Sequence, residues 1–102
     1  FMKKSSVLVN TSRGGIINEK DLYKALKTRL IKAAGMDVFE TEPPSSDHPF
    51  FNLDNILLTP HNAALTLECR KRMALEASEN IAYYLKDKSK INNDNLVNKS
   101  FL

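Results

Sequence analysis

Arg13, Glu42 and His61 are the side chains of this sequence whose chemistries combine most readily. An imidazole, with an ordinary pKa of about 6.5, gives and takes a proton near neutrality. A carboxylate bonded to its far nitrogen fixes the tautomer and stabilises the imidazolium. Glu42 can serve His61 in this way if the proline-rich stretch that follows it folds over the strand ends. Arg13 brings a permanent cation whose planar fork matches a carboxylate with two parallel hydrogen bonds. The adjacent Gly14 and Gly15 are expected to let the chain turn sharply and leave room for a ligand. Together the three side chains suit a small molecule with a carboxylate beside a carbonyl or hydroxyl, a 2-oxo or 2-hydroxy acid. Each has a plainer role open to it as well: sheet-edge capping for Arg13, loop charge for Glu42, a structural ring for His61. Residue types alone identify no redox partner.

Positioning such a set requires elements that end at one place. Residues 6–9, with the continuous apolar run Val7-Leu8-Val9, predict a strand buried on both faces, as in a parallel sheet. Residues 19–30 predict a helix with Asn18 as its N-cap and an apolar stripe of Leu22, Ala25, Leu26, Arg29 and Leu30. Residues 33–39 predict a second strand, 41–49 a loop broken by three prolines, and 55–59 a third strand ended by Pro60. Pro60 is expected to keep the chain extended and so fix where the His61 ring points. A longer helix over about 66–85 follows, with Thr66 as N-cap and Cys69, Met73, Ala77, Ile81 and Tyr84 on its core-facing stripe. The stretch 86–102, rich in Lys and Asn, reads as a disordered or extended tail.

This order is the α/β pattern, with the strands parallel and their carboxyl ends on one edge. Ligands of open α/β sheets bind outside that edge. Residues 10–15, 37–42 and 61 all fall there, so three separate segments bring Arg13, Asp37, Glu42 and His61 to one rim.

Composition narrows the remaining classes. The 102 residues carry a net charge of +3, segmented into a basic first third, an acidic middle with no Lys or Arg over 36–61, and a mildly basic end. The lysines are spaced as on a solvated helix face rather than gathered with aromatics, which argues against nucleic-acid binding. No apolar run approaches the roughly 20 residues of a membrane span, and no secretory signal pattern is present. Cys69 is the sole cysteine, which excludes an internal disulfide, suits a reducing compartment and fits a buried helical position. His48 sits in a stretch rich in Pro, Ser and Asp and reads as solvent-facing loop. With His61 and Cys69 it shows no metal-ligand spacing. The start Phe1-Met2 is not a natural one, and a piece of a longer chain is expected.

Three stretches, MKKSSVLVNTSRGGIIN over 2–18, AAGMDVFETEPP over 33–44 and LLTPHNAALTLECRKRM over 57–73, resemble consecutive blocks of the D-isomer-specific 2-hydroxy-acid dehydrogenases. Three long motifs in order are more specific than one short glycine pattern. The resemblance implies the carboxyl-terminal part of a Rossmann-type doubly wound parallel sheet plus a long return helix. Residues 1–64 would complete the NAD-binding domain, and 65–102 would return toward a substrate domain.

It also implies roles. Arg13 matches the residue that holds the substrate carboxylate and carbonyl oxygen, Glu42 the acid paired with the catalytic histidine, and His61 the proton donor to the 2-oxo group. Asp37 matches the acid that binds the nicotinamide carboxamide, and Thr11, His61, Asn62, Ala63 and Ala64 match further contacts to the cofactor, NAD or NADP. The implied protein is a cytoplasmic homodimeric enzyme acting on a small 2-oxo or 2-hydroxy acid. A dinucleotide-sensing corepressor that reuses the fold is the alternative, since fold does not dictate activity. The family's glycine-rich phosphate loop is expected upstream of Phe1. These residues alone are therefore expected to be inactive.

Overall fold

The computed structural model describes residues 2–92, 94 and 96–98. They fall into two compact units, Phe1–Ala63 and Ala64–Leu102.

The first unit holds a three-stranded parallel sheet. Strands β1 (Val7–Asn10), β2 (Ala33–Met36) and β3 (Ile56–Leu58) lie in the order β1-β2-β3, with Val7 opposite Ala33 and Ala34 opposite Ile56. The middle strand is the small-residue sequence Ala-Ala-Gly-Met. Between β1 and β2 runs helix α1 (Glu19–Lys27), started by Asn18, whose side chain accepts a hydrogen bond from the Asp21 N–H at 3.0 Å. Leu22 and Leu26 point from α1 into a core that also contains Ile31, Ala34, Met36 and Phe50. Burying a side chain such as Leu26, fully out of solvent, is worth roughly 1.5–3 kcal/mol.

Helix α1 stops earlier than its apolar stripe predicts. The reason is Arg29, whose φ of 54° is left-handed. The next N–H, of Leu30, reaches back to the Ala25 carbonyl at 2.8 Å, and the Arg29 N–H to that of Leu26 at 3.0 Å. This is a helix-ending turn of the kind usually given to glycine, and Leu30 is left exposed. Strand β2 likewise ends before its apolar run does: the Asp37 N–H still bonds the Asn10 carbonyl, after which the chain leaves the ladder.

Burial of the strands on both faces is not what the structure shows. Leu8, Asn10, Ala34 and Met36 face the α1 side, whereas Val7, Val9 and Leu57 are more than half exposed on the other face. An α/β sheet buries both faces only where helices cover both, and α1 covers one.

His48 is also not a solvent-facing loop residue. Its side chain is 16% exposed and its ring packs edge-on against Phe39 and Phe50. It caps a short 3-10 turn, Pro49–Asn52, by accepting the Phe50 N–H. Phe50 goes into the core as a result, while Phe51 stays half exposed.

The second unit is helix α2 (Leu67–Lys86), capped by Thr66, which accepts the Cys69 N–H at 3.1 Å. Its apolar stripe is not core-facing: α2 buries no residue, Ile81 is 62% exposed, and Cys69 is half-buried rather than buried. The stretch after α2 is not structureless throughout, since Asp87 caps a 3-10 turn at Lys88–Lys90. Residues 93, 95 and 99–102, the rest of the expected tail, lie outside the described residues, as does Phe1. No helix among the described residues is long and apolar enough to cross a membrane.

Candidate active site

The carboxyl edge of the sheet is built outward from β2. Asp37, the first residue past that strand, is 3% exposed. Its Oδ1 accepts the Thr59 hydroxyl at 2.5 Å and the Asn62 N–H at 3.0 Å, and its Oδ2 accepts the Ala63 N–H at 2.9 Å. The Thr59 hydroxyl bond and the two backbone donors, with the positive charge of His61, hold the Asp37 carboxyl below the usual carboxylate range, although burial opposes them. One carboxylate therefore closes the turn that carries His61.

His61 itself has φ 52°. The chain does not stay extended after Pro60; it enters the left-handed region at the histidine. A non-glycine residue there costs about 1–2 kcal/mol, and such strain persists where the surroundings over-determine it. The contacts of Asp37 do so here.

The His61 ring meets Glu42, with Nδ1 and Oε2 2.7 Å apart. The other carboxylate oxygen of Glu42 accepts the Phe39 N–H at 3.0 Å. The hydrogen bond from His61, then that from the Phe39 backbone, lower the Glu42 pKa, and the charges of His61 and Arg13 add to this. Glu42 is thus a carboxylate at neutral pH. With Nδ1 hydrogen-bonded to it, Nε2 is left as the ring atom that can give or take a proton. The pair is open, with side chains 47% and 37% exposed, and lies beside a cleft of about 370 Å³ lined by Asp37, Phe39, Pro44 and Pro60. The Glu42–Pro43 peptide is cis.

Arg13 arrives from β1. Asn10, 5% exposed at the strand end, accepts the Ser12 N–H at 3.1 Å and donates through Nδ2 to the Arg13 carbonyl at 3.0 Å. The turn is therefore locked by a buried amide. One guanidinium nitrogen bonds the Ser12 carbonyl at 2.7 Å, which leaves most of the five-donor fork available. Thr11 stands exposed in the same turn.

Gly14 differs from expectation. A Cβ there would lie 1.9 Å from the Phe39 carbonyl oxygen, so the space its smallness frees is filled by the β2 exit and not by a ligand. Gly15, with φ 78° and open space around it, supplies the turn. Ala64 opens the second unit.

The structure thus brings Glu42 and His61 into contact and sets the Arg13 charge close enough to act on Glu42. Sequence reasoning missed Asn10 and Thr59. Both had a signal: an Asn at a strand exit favours bonding the backbone two residues on, and a Thr precedes the proline-histidine pair.

Comparison with known proteins gives the family of the chain. Residues 1–63 match the model of the D-isomer specific 2-hydroxyacid dehydrogenase NAD binding domain. A glyoxylate reductase of Korarchaeum cryptofilum is 50% identical over 80 residues, covering 78% of this chain and 24% of the relative. A D-3-phosphoglycerate dehydrogenase of Methanocaldococcus jannaschii is 48% identical over 86 residues, covering 84% and 16%. Among solved structures, the NADPH-dependent glyoxylate/hydroxypyruvate reductase of Sinorhizobium meliloti, in complex with NADP and malonate, superposes with a TM-score of 0.72 at 31% identity. That superposition covers 82% of this chain and 26% of the other. The chain spans about a quarter or less of the length of these relatives. Its Rossmann-type parallel sheet is part of an NAD-binding domain, and the chain belongs to the D-isomer specific 2-hydroxyacid dehydrogenase family.

Proposed function

We propose that these residues contribute the proton-transfer edge of a nicotinamide-dependent dehydrogenase that interconverts a small 2-oxo acid and its D-2-hydroxy acid. The observation that carries the reading is the 2.7 Å His61–Glu42 contact on the edge where Arg13 also ends. Arg13 binds the substrate carboxylate with its fork. His61 delivers a proton from Nε2 to the carbonyl oxygen in reduction and takes it back in oxidation. Glu42 keeps Nδ1 protonated and stabilises the imidazolium.

The donor set fits the cofactor. Three of the roughly four lone-pair positions of Asp37 are engaged. The remaining one accepts from the carboxamide of a nicotinamide, while Thr11 and the side chain of Asn62 supply further polar contacts. The Asn62 and Ala63 N–H groups are committed to Asp37, so these residues, like Ala64, reach a dinucleotide through other atoms. When bound, the nicotinamide supplies or accepts the hydride. The family is named for an NAD binding domain and a solved relative is NADPH-dependent, so the reading takes either cofactor.

The relatives are named as reductases and dehydrogenases, which does not favour a module that only senses dinucleotide. We place the enzyme in the cytoplasm as a homodimer: a lone cysteine suits a reducing compartment, and family resemblance supports the dimer.

The test is oxidation of NADH or NADPH by the full-length gene product with glyoxylate, hydroxypyruvate, phosphohydroxypyruvate and pyruvate. At least one acid turns over; no oxidation with any of them overturns the reading. Arg13→Lys keeps the charge but removes the fork, and lowers kcat/KM about 10- to 100-fold.

A further inference from the structure

A second histidine–carboxylate pair lies behind the first. His48 Nε2 is 3.1 Å from Glu19 Oε2, with side chains only 16% and 13% exposed. Because His48 Nδ1 accepts the Phe50 N–H, the hydrogen sits on Nε2 and is donated to Glu19. The other oxygen of Glu19 accepts the Glu40 N–H at 2.8 Å, and the Glu40 carboxylate in turn accepts the Glu19 N–H at 3.1 Å. The start of α1 is thereby laced to the exit of β2. The His48 ring stands edge-on to Phe39, centroids 5.4 Å apart. Phe39 is the residue whose N–H fixes Glu42, which in turn meets His61. An unbroken set of contacts runs from Glu19 and His48 through Phe39 and Glu40 to Glu42 and His61.

We propose that Glu19 and His48 are positioning residues for the reaction proposed above, holding the 39–42 segment so that Glu42 engages His61 Nδ1. Neither touches a reacting atom. Their effect is on which nitrogen of His61 carries the hydrogen. The carboxylate of Glu42 has few other supports: the 40–46 stretch is largely exposed and carries no helix or strand. Without the lacing, the Phe39 N–H moves and Glu42 loses the bond that aims it.

The test reads the ring nitrogens of His61 by 15N NMR in the full-length gene product. The signals are assigned by their loss in His61→Gln, and spectra are taken at about pH 8.5, above the ordinary imidazole range. In the unaltered protein His61 is held as the Nδ1–H tautomer. Glu42→Gln gives the signature of the released ring. Glu19→Ala removes both oxygens of the lacing. His48→Asn keeps a side-chain acceptor for the Phe50 N–H but withdraws the donor to Glu19. Each moves the His61 nitrogen shifts at least halfway to the Glu42→Gln values. Each also lowers kcat about tenfold while KM for the 2-oxo acid changes less than about twofold.

Unchanged His61 shifts in a folded variant overturn the proposal. So does loss of the fold in both variants, because the effect is confined to the segment around residues 39–49. If the shifts move but no 2-oxo acid is reduced, the positioning role stands and the proposed reaction falls.

Discussion

The two histidines of this chain are each joined to a glutamate, and almost everything around the two pairs differs. His48 and Glu19 are close to buried, and the ring is flanked by three phenylalanines. His61 and Glu42 are open to solvent, and the histidine sits on a left-handed backbone at the end of a strand. The same two side-chain types lie in a packed setting in one place and an open one in the other. What separates them is whether a ring nitrogen remains uncommitted: both nitrogens of His48 are engaged, while His61 keeps Nε2.

Exchanging alanine for each histidine in turn tests that contrast most strongly. His61→Ala lowers kcat of the full-length gene product about 10²–10⁴-fold and lowers the melting temperature less than His48→Ala does, since the open ring has little packing to lose. His48→Ala costs stability as well, removing a cap worth about 1 kcal/mol and aromatic contacts of about 0.5–1.5 kcal/mol each. Denaturant titration reads this loss. A His48→Ala protein as stable as the parent would erase the distinction.

Gly14→Ala probes the wall between the two pairs. Its Cβ would meet the Phe39 carbonyl at 1.9 Å and the Glu40 nitrogen at 2.8 Å, both backbone atoms. Overpacking of this kind costs about 1–3 kcal/mol. The same substitution at Gly15 meets no neighbour, and its cost comes from φ alone.

Acid sharpens the comparison further. Asp37 and Glu42 have folded-state pKa values below their ordinary ones. Their contribution is therefore complete above the ordinary carboxylate range of about 4 and is lost as pH falls through the lower folded values. Between about pH 5 and pH 2.5 the melting temperature falls, and Asp37→Asn flattens that slope. An equal slope in the variant would show that Asp37 does not carry it.

The smallest effect belongs to the exposed Arg29–Asp54 pair, bonded at 2.7 Å through side chains 59% and 78% exposed. Asp54→Asn costs less than about 1 kcal/mol.

The His61–Glu42 contact was legible in the sequence, because the two residues carry their chemistry in their types and each follows a recognisable strand. The parallel sheet was legible for the same reason: short apolar runs alternated with one amphipathic helix. The second pair was not. His48 lies among Pro, Ser and Asp, a composition that reads as solvent, and its partner Glu19 is 29 residues away. The early end of α1 was hidden because Arg29 takes a conformation that sequence reading assigns to glycine. The exposure of the α2 stripe was hidden for another reason. Periodicity records which face is apolar and says nothing of whether a neighbour covers it.

The clamp formed by Asp37 bears on how the edge can change over time. The conformation of residues 59–63 is set by one carboxylate at the exit of the neighbouring strand rather than by their own preferences. A stretch held in this way is portable. Any sequence that keeps a hydroxyl at position 59, the histidine at 61 and free backbone N–H groups at 62 and 63 preserves the aim of the ring. Asp37, just past the middle strand, is the part of the edge that tolerates least alteration, although it is none of Arg13, Glu42 and His61.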